Sequence, residues 1–310
     1  MSRRYIYTRF LFVLSLLFTG IFSVYAAPST NDATKFPVTG QNSSGQITWP
    51  GGSVTKNTTV VLPCFSHVNS NGVTVRDVSI QLASTVTVKK GYKLTIKMDP
   101  DASWTQRAII VIANGFSSTQ GMFLVEEGAS LVIEGLDSDK KWLGIKGSRN
   151  TGSISTIYNS TSKTWTKPTD YEQYYNTFAN GYGMVTAVGN VTMKNVRMYD
   201  SYCKGDGAAL VVKRNTNTDK LLAYGKVSLT DCRITNCVAT FGAALVIYNQ
   251  VKKAVSGDIE TVDPIVHDDY DPEGSSVTLT DCEIKNCYNT LSDNVCGTII
   301  TGGGAYSNLY

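Results

Sequence analysis

The chain has 310 residues, with 28 Lys or Arg against 25 Asp or Glu, and only 17% of its residues are charged. The three arginines within residues 1–26 account for the whole formal charge of +3, so the remainder carries 25 residues of each sign. A balanced chain without a Lys/Arg run excludes a nucleic-acid partner, which requires a basic face, and 27 Gly with only 8 Pro do not make a long linker.

Arg3, Arg4 and Arg9 flank or precede a mostly apolar run from Phe10 to Phe22, and Val24-Tyr25-Ala26 places small residues at the cleavage-determining positions. This predicts a signal peptide over residues 1–26, cut before Ala27. The run is shorter than the roughly 20 residues that cross a bilayer, and no later segment comes close. No transmembrane helix is therefore expected in the mature chain, and the predicted location is secreted or cell-surface, outer membrane or extracellular. Residues 27–57, rich in Ser, Thr, Asn and Gly, read as a flexible or capping lead-in.

From there one apolar spacing recurs. Val73-x-Val75-x-x-Val78-x-Ile80 returns as Val191-x-Met193-x-x-Val196-x-Met198, as Val227-x-Leu229-x-x-Cys232-x-Ile234 and as Val277-x-Leu279-x-x-Cys282-x-Ile284. Leu131-x-Ile133-x-x-Leu136 carries its first three positions. Each copy predicts two short strands with side chains alternating in and out, joined by a two-residue corner. A third apolar segment follows, led by a small residue: Gly207-Ala-Ala-Leu-Val-Val, Gly242-Ala-Ala-Leu-Val-Ile and Gly297-Thr-Ile-Ile, with Met122-Phe-Leu-Val and Val185-Thr-Ala-Val in the same place earlier. Three strands per turn, stacked turn on turn, make a solenoid. Such coils tolerate insertions, and three are expected, over residues 140–183, 213–224 and 249–274.

The corner dipeptides ending in Asn or Asp, the glycine-led strands and the three-strand turns resemble the right-handed parallel β-helix, or pectin-lyase-like, superfamily. Within it, Ile234-Thr235-Asn236-Cys237 followed by Gly242-Ala243-Ala244-Leu245 is similar to the repeats of bacterial polymorphic outer-membrane proteins and related surface adhesins. Those repeats carry an aromatic where this chain has Ile or Met, and a second Gly where it has Ala. The resemblance covers about residues 58–310 and implies an all-β, right-handed parallel β-helix of three strands per turn and about six or seven turns, with loop insertions. Because Gly302 to Tyr310 reads as the start of another turn, the coil is expected to continue beyond the chain end. Asn195, Asp231 and Asp281 fall at the tight corner, where these residue types tolerate a left-handed backbone, and in register their side chains can hydrogen-bond along the helix axis as a structural ladder.

Enzymes of this superfamily act on acidic polysaccharides, so carboxylate constellations are the feature to seek. Lys204-Gly205-Asp206-Gly207 supplies one Asp, whereas its equivalent in the next turn, Thr240-Phe241-Gly242, supplies none. His67 and His267 lack glycine neighbours, and Arg149, Arg197, Arg214 and Arg233 read as scattered. No catalytic residue is assigned. The expectation is a non-catalytic surface protein, an adhesin-like or glycan-contacting scaffold whose partner is an extracellular polysaccharide or a host-surface component. A lyase or glycoside hydrolase of the same fold, and a purely structural stalk, are the alternatives.

Two insertions offer binding chemistry. Trp165, Tyr171, Tyr174 and Tyr175 can present flat rings with polar tips to a sugar or protein, or can bury one another. Asp263, Asp268, Asp269, Asp271 and Glu273 have the oxygen-rich composition that calcium favours; without EF-hand spacing they read either as a structural calcium site or as a solvated loop tip, and no other cofactor is implied. Among the 7 cysteines, Cys232 and Cys282 share one repeat position, and Cys237 and Cys287 another. Stacked turns lie about 4.8 Å apart, a separation that a disulfide accepts, yet aligned side chains point the same way. Bridged pairs and plain thiol stacks both remain open, and the absence of Cys-x-x-Cys spacing argues against zinc.

Overall fold

Alternation at period two, broken every few residues by Gly, Asn or Asp, leaves little scope for a helix. The computed structural model contains only strands and turns among the described residues. It describes residues 33–35, 46–64, 67–68, 71–75, 77–100, 102, 107–147, 158–159, 164–165, 183–213, 225–248, 275–289, 299–302 and 308–309.

Three sheets carry the architecture. Sheet A stacks Ala33–Lys35, Thr58–Leu62, Lys93–Met98, Ser130–Glu134, Asn190–Lys194, Lys226–Thr230, Ser276–Thr280 and Asn308–Leu309. Sheet B stacks Gln46–Trp49, Asp77–Leu82, Arg107–Ile112, Leu143–Lys146, Val196–Asp206, Arg233–Phe241 and Glu283–Lys285, with Tyr288–Asn289 also paired to Arg233–Phe241. Sheet C stacks Gly52–Val54, Val86–Val88, Phe123–Val125, Val185–Ala187, Leu210–Val212, Leu245–Tyr248 and Ile299–Gly302. The chain visits B, C and A in turn, and neighbouring turns pair in parallel, as in Val191↔Val227 of sheet A and Leu210↔Leu245 of sheet C. Parallel crossovers are right-handed. The molecule is a right-handed parallel β-helix, and the seven strands of sheet C mark its turns.

Inward residues of the three sheets form one core. Leu94, Ile96, Leu131, Ile133, Val191 and Met193 from sheet A face Ile80, Ile110, Ile145 and Met198 from sheet B, all at 1% exposure or less. Phe123 of sheet C is fully buried and meets Trp49 edge-on at 6.1 Å. Each such side chain contributes roughly 1.5–3 kcal/mol on leaving water. Toward the C-terminal turns the core narrows to Ala208, Ala209, Ala243 and Ala244. Gly207 and Gly242 precede these alanines with φ of 62° and 53°, and a Cβ at either would lie 2.4 or 2.2 Å from the Val211 or Val246 side chain. That double constraint explains the Gly-Ala-Ala motif.

Two expected repeat copies are placed differently. Thr74–Val75 pairs antiparallel with His67–Val68 in a small hairpin outside the coil, and Val73 is 57% exposed. The sheet A strand that leads into Asp77–Leu82 is Thr58–Leu62, whose buried Val60 aligns with Ile96 and, through it, with Ile133. Leu136 is 40% exposed, and Leu143 takes its place opposite Val196. In both cases a loop replaces the two-residue corner, so the apolar spacing is met by coincidence and the core position is filled from elsewhere, by Val60 before the loop in the first copy and by Leu143 after it in the second.

The corners use left-handed backbone in two rows. Asn195, Asp231 and Asp281 have φ of 54°, 52° and 51°, and Asp200, Asn236 and Asn286, five residues on, have 52°, 55° and 52°. In the first row the Asn195 amide donates back to the Gly135 carbonyl at 3.3 Å. The axial side-chain ladder lies in the second row: Asn286 donates to Asn236 at 3.3 Å, Asn236 donates to Asp200 at 3.1 Å, and Lys146 stands 3.6 Å from Asp200. Burial pushes the Asp200 pKa up, opposed by Asn236 and Lys146. Asn236→Ala should therefore cost about 2–3 kcal/mol, combining left-handed strain with two lost hydrogen bonds. Asn236→Gly should recover about 1 kcal/mol of that by relieving the backbone alone. Urea unfolding midpoints separate the two terms; full rescue by glycine would mean that the ladder contributes nothing.

Candidate functional site

Strand alternation that buries Leu131, Val191 and Val227 turns their neighbours outward, and stacking sets those neighbours in straight columns. On sheet A, Lys93, Ser130, Asn190, Lys226 and Ser276 are aligned turn by turn. Two residues on, Thr95, Val132, Thr192, Ser228 and Thr278 form a second column, and Lys97, Glu134, Lys194, Thr230 and Thr280 a third. The first column, and the second from Val132 onward, line a shallow, open groove of about 550 Å³ running from Lys93 to Thr278. Its surface offers hydroxyls, an amide and ammonium groups at the inter-turn spacing of about 4.8 Å. Across the three columns Lys93, Lys97, Lys194 and Lys226 face a single acid, Glu134. Tyr92, next to Lys93, exposes a ring at 37%. An open trough of this kind suits an extended chain better than an enclosed small molecule, which calls for a deeper pocket.

Sheet B carries a second cluster on its outer face. Arg197 and Arg233 are register partners. Arg107 and Arg197 lie against the Trp142 ring, 5.0 and 4.5 Å from its centroid, and Tyr199 meets that ring edge-on at 6.1 Å. The indole can lie flat because residue 144 is glycine; a Cβ there would come within 2.9 Å of the ring. The loop before Trp142 is held down as well. Arg197 donates to the Ser138 carbonyl at 3.0 Å, Arg233 pairs with Asp139 at 2.7 Å, and Asp137 accepts from the backbone of Asp139 and Lys140. Those two amides hold the Asp137 pKa down, while burial together with Arg233 and Arg107 lowers that of Arg197. Trp142 is only 6% exposed. This cluster anchors a loop; it does not present an open ring to a ligand.

The one candidate carboxylate named from the repeat, Asp206, has no acidic register partner among the described residues. Asp206 aligns with Phe241, so the neighbouring turn supplies no second carboxylate at that height. Among the described residues no group of three or more His, Cys, Asp or Glu is placed to hold a metal ion. Asp263, Asp268, Asp269, Asp271 and Glu273 lie outside the described residues, as do Tyr171, Tyr174 and Tyr175. Trp165 belongs to a two-stranded antiparallel hairpin opposite Tyr158. Asn195, Asp231 and Asp281 are at the corners between sheets A and B described above.

The sheet A groove and the arginine pair are what reading the sequence missed. Arg197 and Arg233 follow the same repeat position, after Val196 and Cys232, and were in principle readable by aligning outward residues instead of inward ones. The groove columns needed Lys93 and Ser130, which belong to turns whose corners are long loops. Arg149 and Arg214 lie outside the described residues.

Among the described residues there is no helix long and apolar enough to cross a membrane. No family model, curated protein or solved structure matches the chain.

Proposed function

We propose that this protein is a non-catalytic β-helix, displayed at a cell surface or secreted, whose sheet A groove holds an extended anionic polysaccharide. The observation that supports the reading most is the pair Lys93 and Lys226 among the hydroxyls and the Asn190 amide of the groove, with Lys97 and Lys194 beside the single acid Glu134 in the adjoining column. Hydroxyls and amides can exchange hydrogen bonds with sugar hydroxyls, and ammonium groups complement carboxylate or sulfate substituents. Most stacked turns offer a polar or charged contact, at a spacing close to the rise of one monosaccharide, so successive sugars can be met by successive turns.

Calorimetric titration with soluble anionic and neutral polysaccharides tests this. Anionic polymers should bind at low ionic strength and weaken as salt rises, with neutral ones weaker throughout. Reducing ends or unsaturated products appearing during the titration would assign a hydrolase or lyase instead. Neither binding nor turnover would leave a structural stalk.

A further inference from the structure

We propose that the two aligned cysteine columns are covalent modification sites, cross-linked as Cys232–Cys282 and Cys237–Cys287, so that two successive turns are bridged at two places. The proposal is independent of the groove's ligand.

Register brings each pair together. Arg233 aligns with Glu283, and the Glu283 amide donates to the Cys232 carbonyl at 2.9 Å, which sets Cys232 and Cys282 one turn apart. Val238 aligns with Tyr288, placing Cys237 and Cys287 likewise. The inter-turn spacing of about 4.8 Å falls within the Cα separations of roughly 4.4–6.8 Å that disulfides span. The thiol directions differ: Cys232 turns its Sγ to the Met193 carbonyl at 3.6 Å, so closing the first bridge rotates that side chain, while the distal thiols already point the right way. Cys282 points its Sγ to the Leu229 carbonyl at 3.4 Å, and Cys287 points to that of Ile234 at 3.8 Å. Both distal thiols therefore reach back to the turn that holds their partner. Each pair is close enough for the sulfurs to shift one another's ionisation. One turn earlier the second column holds Ser201 opposite Cys237, and Val196, next to the aligned Arg197, leads the first. Cysteine thus enters both columns in the same two turns, the two that flank the insertion over residues 249–274.

The chemistry requires an external disulfide, for which oxidised glutathione is the probe. Cys282 is more open than Cys232, which is 1% exposed, and its neighbour's thiol draws its pKa down to about 7. Its thiolate attacks one sulfur of the glutathione disulfide, releasing one glutathione thiolate and forming a mixed disulfide. Cys232 then gives up its proton, and its thiolate attacks the Cys282 sulfur and expels the second glutathione. Two protein thiols are oxidised, one external disulfide is reduced, and the two protons end on the two released glutathiones. Cys287 opens the same sequence with Cys237 as the turns breathe or as they stack during folding.

The test uses the full chain, incubated with oxidised glutathione, alkylated at its remaining thiols and digested without reduction. Mass analysis should find Cys232 linked to Cys282 and Cys237 linked to Cys287, with Cys64 and Cys203 alkylated. Each bridge closes a loop of about 50 residues, so adding reductant should lower the melting temperature by on the order of 10 °C. The Cys282→Ser/Cys287→Ser variant should melt at the same temperature with and without reductant. Alkylation of all four cysteines after oxidation, or bridges to Cys64, Cys203 or Cys296, would overturn the proposal. Mapping of the unaltered chain decides this even where the variant folds poorly.

Discussion

Gly183→Ala should lower the melting temperature by roughly 10 °C, although it adds a single methyl group. Gly183 enters sheet C just ahead of Val185–Ala187 and donates to the Gly207 carbonyl at 3.2 Å, while Met184 donates to Ala208 at 3.0 Å. A Cβ on residue 183 would lie 1.9 Å from the Ala208 carbonyl oxygen and 2.2 Å from its carbon. Those atoms are backbone, so no rotamer change can clear them; one turn must shift against the next and loosen the stacking bonds. Overpacking of this kind costs about 3 kcal/mol, and in a chain of this size each kcal/mol shifts the midpoint by about 2–4 °C. Gly115→Ala is the matched control. Gly115 has φ of 78° and open space where its Cβ would go, so only the left-handed strain of about 1 kcal/mol applies. Thermal unfolding of both variants measures the difference, and equal shifts would mean that the close approach of turns is not what the glycine serves.

Reversing two groove charges, Lys93→Glu with Lys226→Glu, should weaken binding of an anionic polysaccharide by on the order of tenfold to a hundredfold at low salt. Both side chains are exposed on sheet A in the first groove column, and they turn away from the core that holds Leu94 and Val227. The change replaces two attractions by two repulsions along one polymer, each of the four worth about 0.4–0.7 kcal/mol at a solvated surface. It should leave the unfolding midpoint within a few degrees of the parent. The gap between variant and parent should close as salt screens the charges. Affinity unchanged at low salt would remove the groove from the account.

The repeat is legible in the sequence where corners are short. Val191 to Met198, Val227 to Ile234 and Val277 to Ile284 fall in the predicted strands because one left-handed Asn or Asp joins sheet A to sheet B in each. It is hidden where the corner is a loop. Leu94-x-Ile96 and Ala108-x-Ile110 are one turn of the coil, yet eight residues separate Met98 from Arg107 and hide the spacing. The loop after Glu134 similarly displaces the sheet B strand to Leu143. Candidate binding residues were harder to see for a different reason. Inward positions repeat because the core requires it, whereas the outward column Lys93, Ser130, Asn190, Lys226 and Ser276 changes residue type at every turn and becomes a surface only once register is known. Trp142 is the extreme case, since its place over Gly144 depends on how the preceding loop folds back.

Hydroxyl-radical footprinting of the full chain with and without a soluble anionic polysaccharide shows which face of the coil the polymer covers. The account predicts protection along one face of the coil, at Lys93, Val132, Asn190, Lys226 and Thr278, with the outer face of sheet B around Arg233 and Lys285 unchanged. Protection confined to Tyr171, Tyr174 and Tyr175 on the aromatic insertion, with the sheet A columns as reactive as before, would contradict it.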